Sequence, residues 1–74
     1  MFPEYRELIS KLKGNHSRFD TLFETHNKLD HEVKRLENLF PSGSMEIVRL
    51  KLKKLETKRE IQKILEQESK KLIQ

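Results

Sequence analysis

The sequence predicts an all-α protein, an antiparallel and coiled-coil-like helical hairpin with a short N-terminal helix. In the middle of the chain, apolar residues recur at alternating steps of three and four, which is a heptad pattern. A short connector, Pro-Ser-Gly-Ser at 41–44, separates this stretch from a second long helical stretch. So brief a break between two long helices favours an antiparallel hairpin. There is no strand signal, and residues 1–74 are expected to form one domain.

The first helix is predicted over about residues 3–13. Pro3 suits the first helical position because a missing N–H costs nothing there. Gly14 can adopt the left-handed conformation that ends a helix. The apolar positions fall at helical spacing and are Tyr5, Leu8, Ile9 and Leu12.

The second helix is predicted over about residues 17–40. Ser17 is expected to cap it, with Asp20 in the place of the capping-box glutamate. Pro41 disfavours helical conformation at the residue before it and ends the helix. The predicted packing seam of this helix consists of Phe19, Leu22, His26, Leu29, Val33, Leu36 and Phe40.

The third helix is predicted over about residues 44–73 and carries two apolar stripes. The first stripe comprises Met45, Val48, Leu52 and Leu55, and it becomes polar at Arg59. We expect it to face the second helix, with Leu36 near Val48, Val33 near Leu52, Leu29 near Leu55 and His26 near Arg59. The second stripe lies on another side of the helix and comprises Ile61, Ile64, Leu65 and Leu72. We expect the first helix, together with Phe19 and Phe23, to cover part of it.

Composition limits the classes of protein to be considered. Only 34% of the 74 residues are hydrophobic, 38% are charged and none is Cys. No apolar stretch approaches the roughly 20 residues of a membrane span. The first residues lack the basic and apolar regions of a signal peptide. We therefore expect a cytoplasmic protein without a membrane span.

The stretch His-Asn-Lys-Leu-Asp-His-Glu at 26–32 resembles a metal or proton-transfer site. On a helix, His26 and Asp30 share one face while His31 lies on the next. Zinc usually requires three or four protein ligands, and one face offers only two. We therefore predict no metal site. Instead, we expect a polar layer within the seam, made of His26, Asp30 and Arg59.

The sequence contains no recognisable catalytic pattern. The two glycines are isolated, so no phosphate-binding loop is predicted. No Cys or activated Ser can be named as a nucleophile. We expect no catalytic residues, no cofactor and no enzymatic activity.

The positive charge is concentrated in the third helix. The net charge is +4, and six basic residues against one acid lie within positions 49–59. Lys51, Lys54 and Lys58 line one side of this helix. Such a band can bind nucleic acid, but no aromatic residue follows Phe40 to stack on bases. A solvated helix face is the preferred interpretation and nucleic-acid binding is the alternative.

Three stretches carry a resemblance to a known family. They are MFPEYRELISKLK at the start, RFDTLFETHNKLDHE in the middle, and VRLKLKKLETKREIQKIL after the connector. Over nearly the whole chain, the sequence resembles the YdcH-like family of small bacterial proteins, a domain of unknown function. The resemblance implies a short helical hairpin in bacterial cytoplasm and supplies no catalytic residues.

These observations favour a small protein-interaction module. A two-helix hairpin has a narrow core, and chains of this size often need a partner for stability. We expect either a homo-oligomer or a complex with a partner protein. The predicted contact surface is the second stripe, Ile61, Ile64, Leu65 and Leu72.

Overall fold

The computed structural model describes residues 2–73, with side chains described for residues 2–71. A short 3-10 turn, Pro3–Tyr5, leads into α1 (Arg6–Leu12), which is followed by α2 (Ser17–Leu39) and α3 (Met45–Ile73). The two long helices pack against each other in an elongated body of 49 × 19 × 18 Å. The predicted all-α hairpin with a short N-terminal helix is confirmed.

The helix ends agree with the predicted turns but differ in one cap. Gly14 has a φ of 81° and ends the first helical segment as expected. His16, rather than Ser17, caps α2, because its Nδ1 accepts a hydrogen bond from the Phe19 N–H at 3.1 Å. Asp20 instead accepts hydrogen bonds from the Gly14 N–H at 3.1 and 3.0 Å, which ties the turn to α2. At the connector, Ser44 Oγ accepts a hydrogen bond from the Ile47 N–H at 3.3 Å and so caps α3.

Among the residues whose side chains are described, the hydrophobic core forms two separate clusters. The larger cluster lies at the end of the hairpin away from the connector, where α1 packs against α3. Its buried members are Ile9, Leu12, Phe19, Ile61, Ile64 and Leu65. The smaller cluster lies beside the connector and comprises Val33, Leu36 and Ile47, with Leu50 packed against it. The predicted covering of Ile61 and Leu65 by α1 and Phe19 is therefore confirmed.

The predicted packing face of α3 is wrong, whereas that of α2 is right except at Phe40, which follows the end of the helix and is 51% exposed. Met45, Val48, Leu52 and Leu55 are exposed, with exposed fractions of 71%, 49%, 56% and 44%. The face that packs on α2 instead contains Ile47, Leu50, Lys54, Thr57 and Ile61.

The physical reason is the length of the interface. Ile47 and Leu65 are separated by 18 residues, about five full turns, so both lie on one side of a straight helix. Met45 lies roughly 200° around the helix from Leu65. A face that begins at Met45 would therefore turn away from α2 before it reached the larger cluster. The helix therefore buries one continuous face, and the polar residues Lys54 and Thr57 lie in the middle of that face.

Candidate functional site

The polar layer separates the two apolar clusters and is built from α2 and α3. Lys54 Nζ donates a hydrogen bond to Asp30 Oδ1 at 2.5 Å, and Lys34 Nζ lies 3.1 Å from Asp30 Oδ2. Lys54 is two-thirds buried, with 33% of its side chain exposed. Arg59, which we expected in this layer, is exposed on α3. Lys54 takes its place because the buried face of α3 differs from the predicted one.

His26 lies beside this ion pair. Its Nδ1 is buried and has no hydrogen-bond partner among residues 2–73. Burial lowers the pKa of His26 below 6.5, and the nearby Lys54 cation lowers it further, while Asp30 opposes the shift. The imidazole therefore stays neutral in the folded protein to a lower pH than in an unfolded chain.

Asp30 is held as a carboxylate by the two lysines. The hydrogen bonds from Lys54 and then Lys34 lower the pKa of Asp30 to about 2. We predict that Lys54→Gln raises this pKa toward the usual 3.8, and that Lys34→Gln raises it by less because Lys54 makes the dominant contact. Carboxyl-carbon NMR titration of the three proteins measures this difference. Equal shifts in the two variants would contradict the assigned pairing.

Asp30 also sets a pH dependence of folding at acidic pH. Its pKa is lower in the folded protein than in the unfolded chain, so its contribution to stability is present above about pH 4. That contribution is lost as the pH falls toward about 2, because the folded state must then take up the proton at an unfavourable site.

We predict that His26→Leu preserves the fold and raises the free energy of unfolding by about 1 kcal/mol, because a buried, unpaired nitrogen is replaced by an apolar side chain. The gain should grow as the pH falls below 6.5, since the unfolded wild-type chain then binds a proton that the folded chain resists. Urea denaturation at several pH values measures both effects.

The matched control for this prediction is His31→Leu. His31 lies on the same helix but is exposed, so the same substitution should change stability by less than about 0.5 kcal/mol. Melts with added zinc address the alternative interpretation of the histidines. A zinc-dependent rise in the melting temperature that disappears in His26→Leu would mean that a metal site exists. Within residues 2–73, no three His, Cys, Asp or Glu side chains are grouped as metal ligands.

The basic band of Lys51, Lys54 and Lys58 borders an open groove of about 460 Å³, whose lining also includes His26 and Leu55. Two of these three lysines already have acidic partners on α2. Lys51 Nζ lies 3.3 Å from Glu37 Oε2, and Lys54 binds Asp30. Glu32 pairs with Arg35 on its own helix.

The predicted contact surface is also corrected. Ile61 and Leu65 are fully buried and Ile64 is 6% exposed, because α1 and α2 cover them. They are part of the core and are not available to a partner. The side chain of Leu72 lies outside the described residues.

A different apolar surface is exposed. We define the outer stripe as Met45, Val48, Leu52 and Leu55, on the exposed side of α3, where Leu55 also borders the groove that contains His26. Leu39 and Phe40, with exposed fractions of 59% and 51%, add apolar surface at the connector end. Sequence reasoning found the pattern of this stripe but assigned it to the core. Its abrupt end at Arg59, halfway along the helix, was the signal that it did not pack on α2.

Comparison with known proteins places the chain in a family. The family model for "Protein of unknown function (DUF465)" matches residues 19–65, which include most of α2 and the first two-thirds of α3. The chain belongs to the DUF465 family. This confirms the resemblance noted from the sequence, and the matched segment contains the polar layer, the basic band and the outer stripe.

Two relatives of the DUF465 chain carry the name "Uncharacterized protein YdcH", one from Escherichia coli strain K12 and one from Shigella flexneri. Each is 56% identical over 70 residues, covering 93% of this chain and 95% of the relative. No solved structure matches the chain. None of the helices within residues 2–73 is both long enough and apolar enough to cross a membrane.

Proposed function

We propose that this DUF465 protein is a non-enzymatic protein-interaction module that docks through the outer stripe. The observation that supports the proposal is the exposure of four large apolar side chains in a row on one side of α3. Single exposed apolar residues are ordinary on protein surfaces, whereas a contiguous row is typical of an interaction site. The hairpin holds this row on a straight helix whose opposite side is fixed against α2.

Site-specific photo-crosslinking in cells tests this proposal. A benzophenone amino acid is placed at Leu52 in the outer stripe or, as a control, at the exposed Lys28 on α2. We expect a discrete adduct from position 52 that is absent at position 28 and disappears when Leu55→Asp is added. The adduct mass distinguishes a second 8.9 kDa copy from another protein. Equal labelling at both positions, or none at 52, would contradict docking through this surface.

Binding of nucleic acid through the basic band is the alternative function. It is less well supported because Lys51 and Lys54 are engaged by Glu37 and Asp30. If it were correct, binding would weaken steeply with rising salt, since bound lysines release counterions from the phosphates. A mobility-shift titration at low salt with no retarded species would dismiss it.

A further inference from the structure

The outer stripe is a narrow seam rather than a broad apolar face. Its four residues are spaced by three, four and three positions, which is the spacing of the core positions of a coiled coil. At about 100° per residue, they occupy an arc of roughly 80° on α3. Helices that lie on lipid surfaces present a wider apolar face, whereas a seam limited to the two heptad core positions fits another helix.

The flanks of the seam are mostly basic. Lys51 and Lys58 lie on one side of it, Arg49 and Glu56 lie on the other, and Arg59 continues the stripe at its end. Within residues 2–73, no acidic side chain lies within ion-pair distance of Arg49, Lys58 or Arg59. Residues that flank a coiled-coil seam determine which partner is accepted.

These flanks complement a second copy only in part. In an antiparallel pair of α3 helices, residues of one flank face the same flank of the other copy, which places Lys51 opposite Lys58 and Arg49 opposite Glu56. In a parallel pair, Arg59 would face its own counterpart across the seam, Lys58 would approach Lys63, and Lys51 would approach Glu56. Each orientation places some cations opposite cations and offers the others only Glu56, so a different partner with acidic residues on both flanks complements the stripe better than a second copy.

The geometry points to an amphipathic helix of another protein, with an aliphatic heptad seam and acidic flanks, as the ligand of the outer stripe. This inference rests on the proposed docking function and adds the chemical class of the partner. Aliphatic side chains of that helix would pack on Val48, Leu52 and Leu55, while its carboxylates would pair with Arg49 and Lys58. The contact would follow about three turns of α3, since the stripe spans the eleven residues from Met45 to Leu55.

Binding of three labelled helical peptides, measured by fluorescence anisotropy, tests this inference. The first peptide has leucine at the seam positions and glutamate on both flanks. The second has leucine at the seam and lysine on both flanks, and the third has serine at the seam and glutamate on both flanks. We expect the first to bind the wild type at least about tenfold more tightly than either of the others. Arg49→Glu with Lys58→Glu should reverse the preference between the first two peptides.

The control variant carries Lys11→Glu on α1 and Lys28→Glu on α2. These substitutions change the net charge by the same amount as those of the test variant, but they lie outside the outer stripe and its flanks. It should retain the wild-type preference, and circular dichroism confirms that every variant is folded. Leu52→Ser should remove binding of the first peptide. Loss of the preference at high salt is also expected, because exposed ion pairs are screened.

The remaining outcomes separate this inference from the proposed function. If both leucine peptides bind equally and Leu52→Ser abolishes both, the acidic partner is wrong but docking at the stripe stands. If the serine peptide binds as well as the first, attraction is only electrostatic and the inference fails. If no peptide binds, the inference is overturned. Binding to anionic phosphatidylglycerol vesicles, or a dimer lost in Leu52→Ser, would then assign the stripe to lipid or to a second copy.

Discussion

Phe19→Ala is expected to cost about 3–5 kcal/mol of unfolding free energy, the usual range for removing a buried phenylalanine. Phe19 is fully buried where α1, α2 and α3 meet. A protein of this length has a total stability of about 4–11 kcal/mol, so the variant should be partly or wholly unfolded at 25 °C. Urea denaturation followed by circular dichroism measures the loss.

Phe40→Ala is the matched control for this experiment. It makes the same chemical change at a half-exposed position beside the connector, and it should cost less than about 1 kcal/mol. If the two variants were equally destabilised, the larger cluster could not be the main source of stability.

Two neighbouring residues of α3 should respond in opposite ways to the same substitution. Ile47→Asp is expected to destabilise the protein by more than about 3 kcal/mol, because it removes a buried side chain and introduces an unpaired charge. Val48→Asp should change stability by less than about 1 kcal/mol, because Val48 is half-exposed. Both positions lie near the start of α3, so a carboxylate interacts with the helix dipole similarly in each.

This pair distinguishes the observed face of α3 from the face that the sequence suggested. Thermal melts and urea titrations of the two variants supply the comparison. Greater destabilisation by Val48→Asp than by Ile47→Asp would show that the outer stripe packs on α2 and that no apolar docking surface is exposed.

The helices and the seam of α2 could be predicted from the sequence because each depends on local information. Pro41 and Gly14 mark helix ends, and the spacing of the apolar residues from Phe19 to Leu36 is consistent with only one buried face of α2. The face of α3 could not be predicted in this way, because that helix carries two apolar stripes. The buried one is interrupted by Lys54 and Thr57, so its continuity with Leu65 becomes apparent only when the whole helix is placed against α2.

The candidate site was missed for the same reason. With the outer stripe assigned to the core, the sequence pattern left the apolar residues near Ile61 as the predicted contact surface. Their burial depends on where α1 packs, which is a tertiary contact with no sequence signal of its own. His26 and Asp30 were correctly placed together because they lie four residues apart on one helix.

The division of the core into two clusters has a consequence for local unfolding. The smaller cluster contains only Val33, Leu36 and Ile47, with Leu50 against it, and the polar layer separates it from the larger one. Protein regions with fewer buried contacts open at lower free energy than the whole molecule. The connector half of the hairpin should therefore behave as a separate cooperative unit that opens more often than the half containing Phe19. The outer stripe lies largely in this unit. A docked helix would therefore suppress the opening of the connector half and increase the protection of its amides from hydrogen exchange.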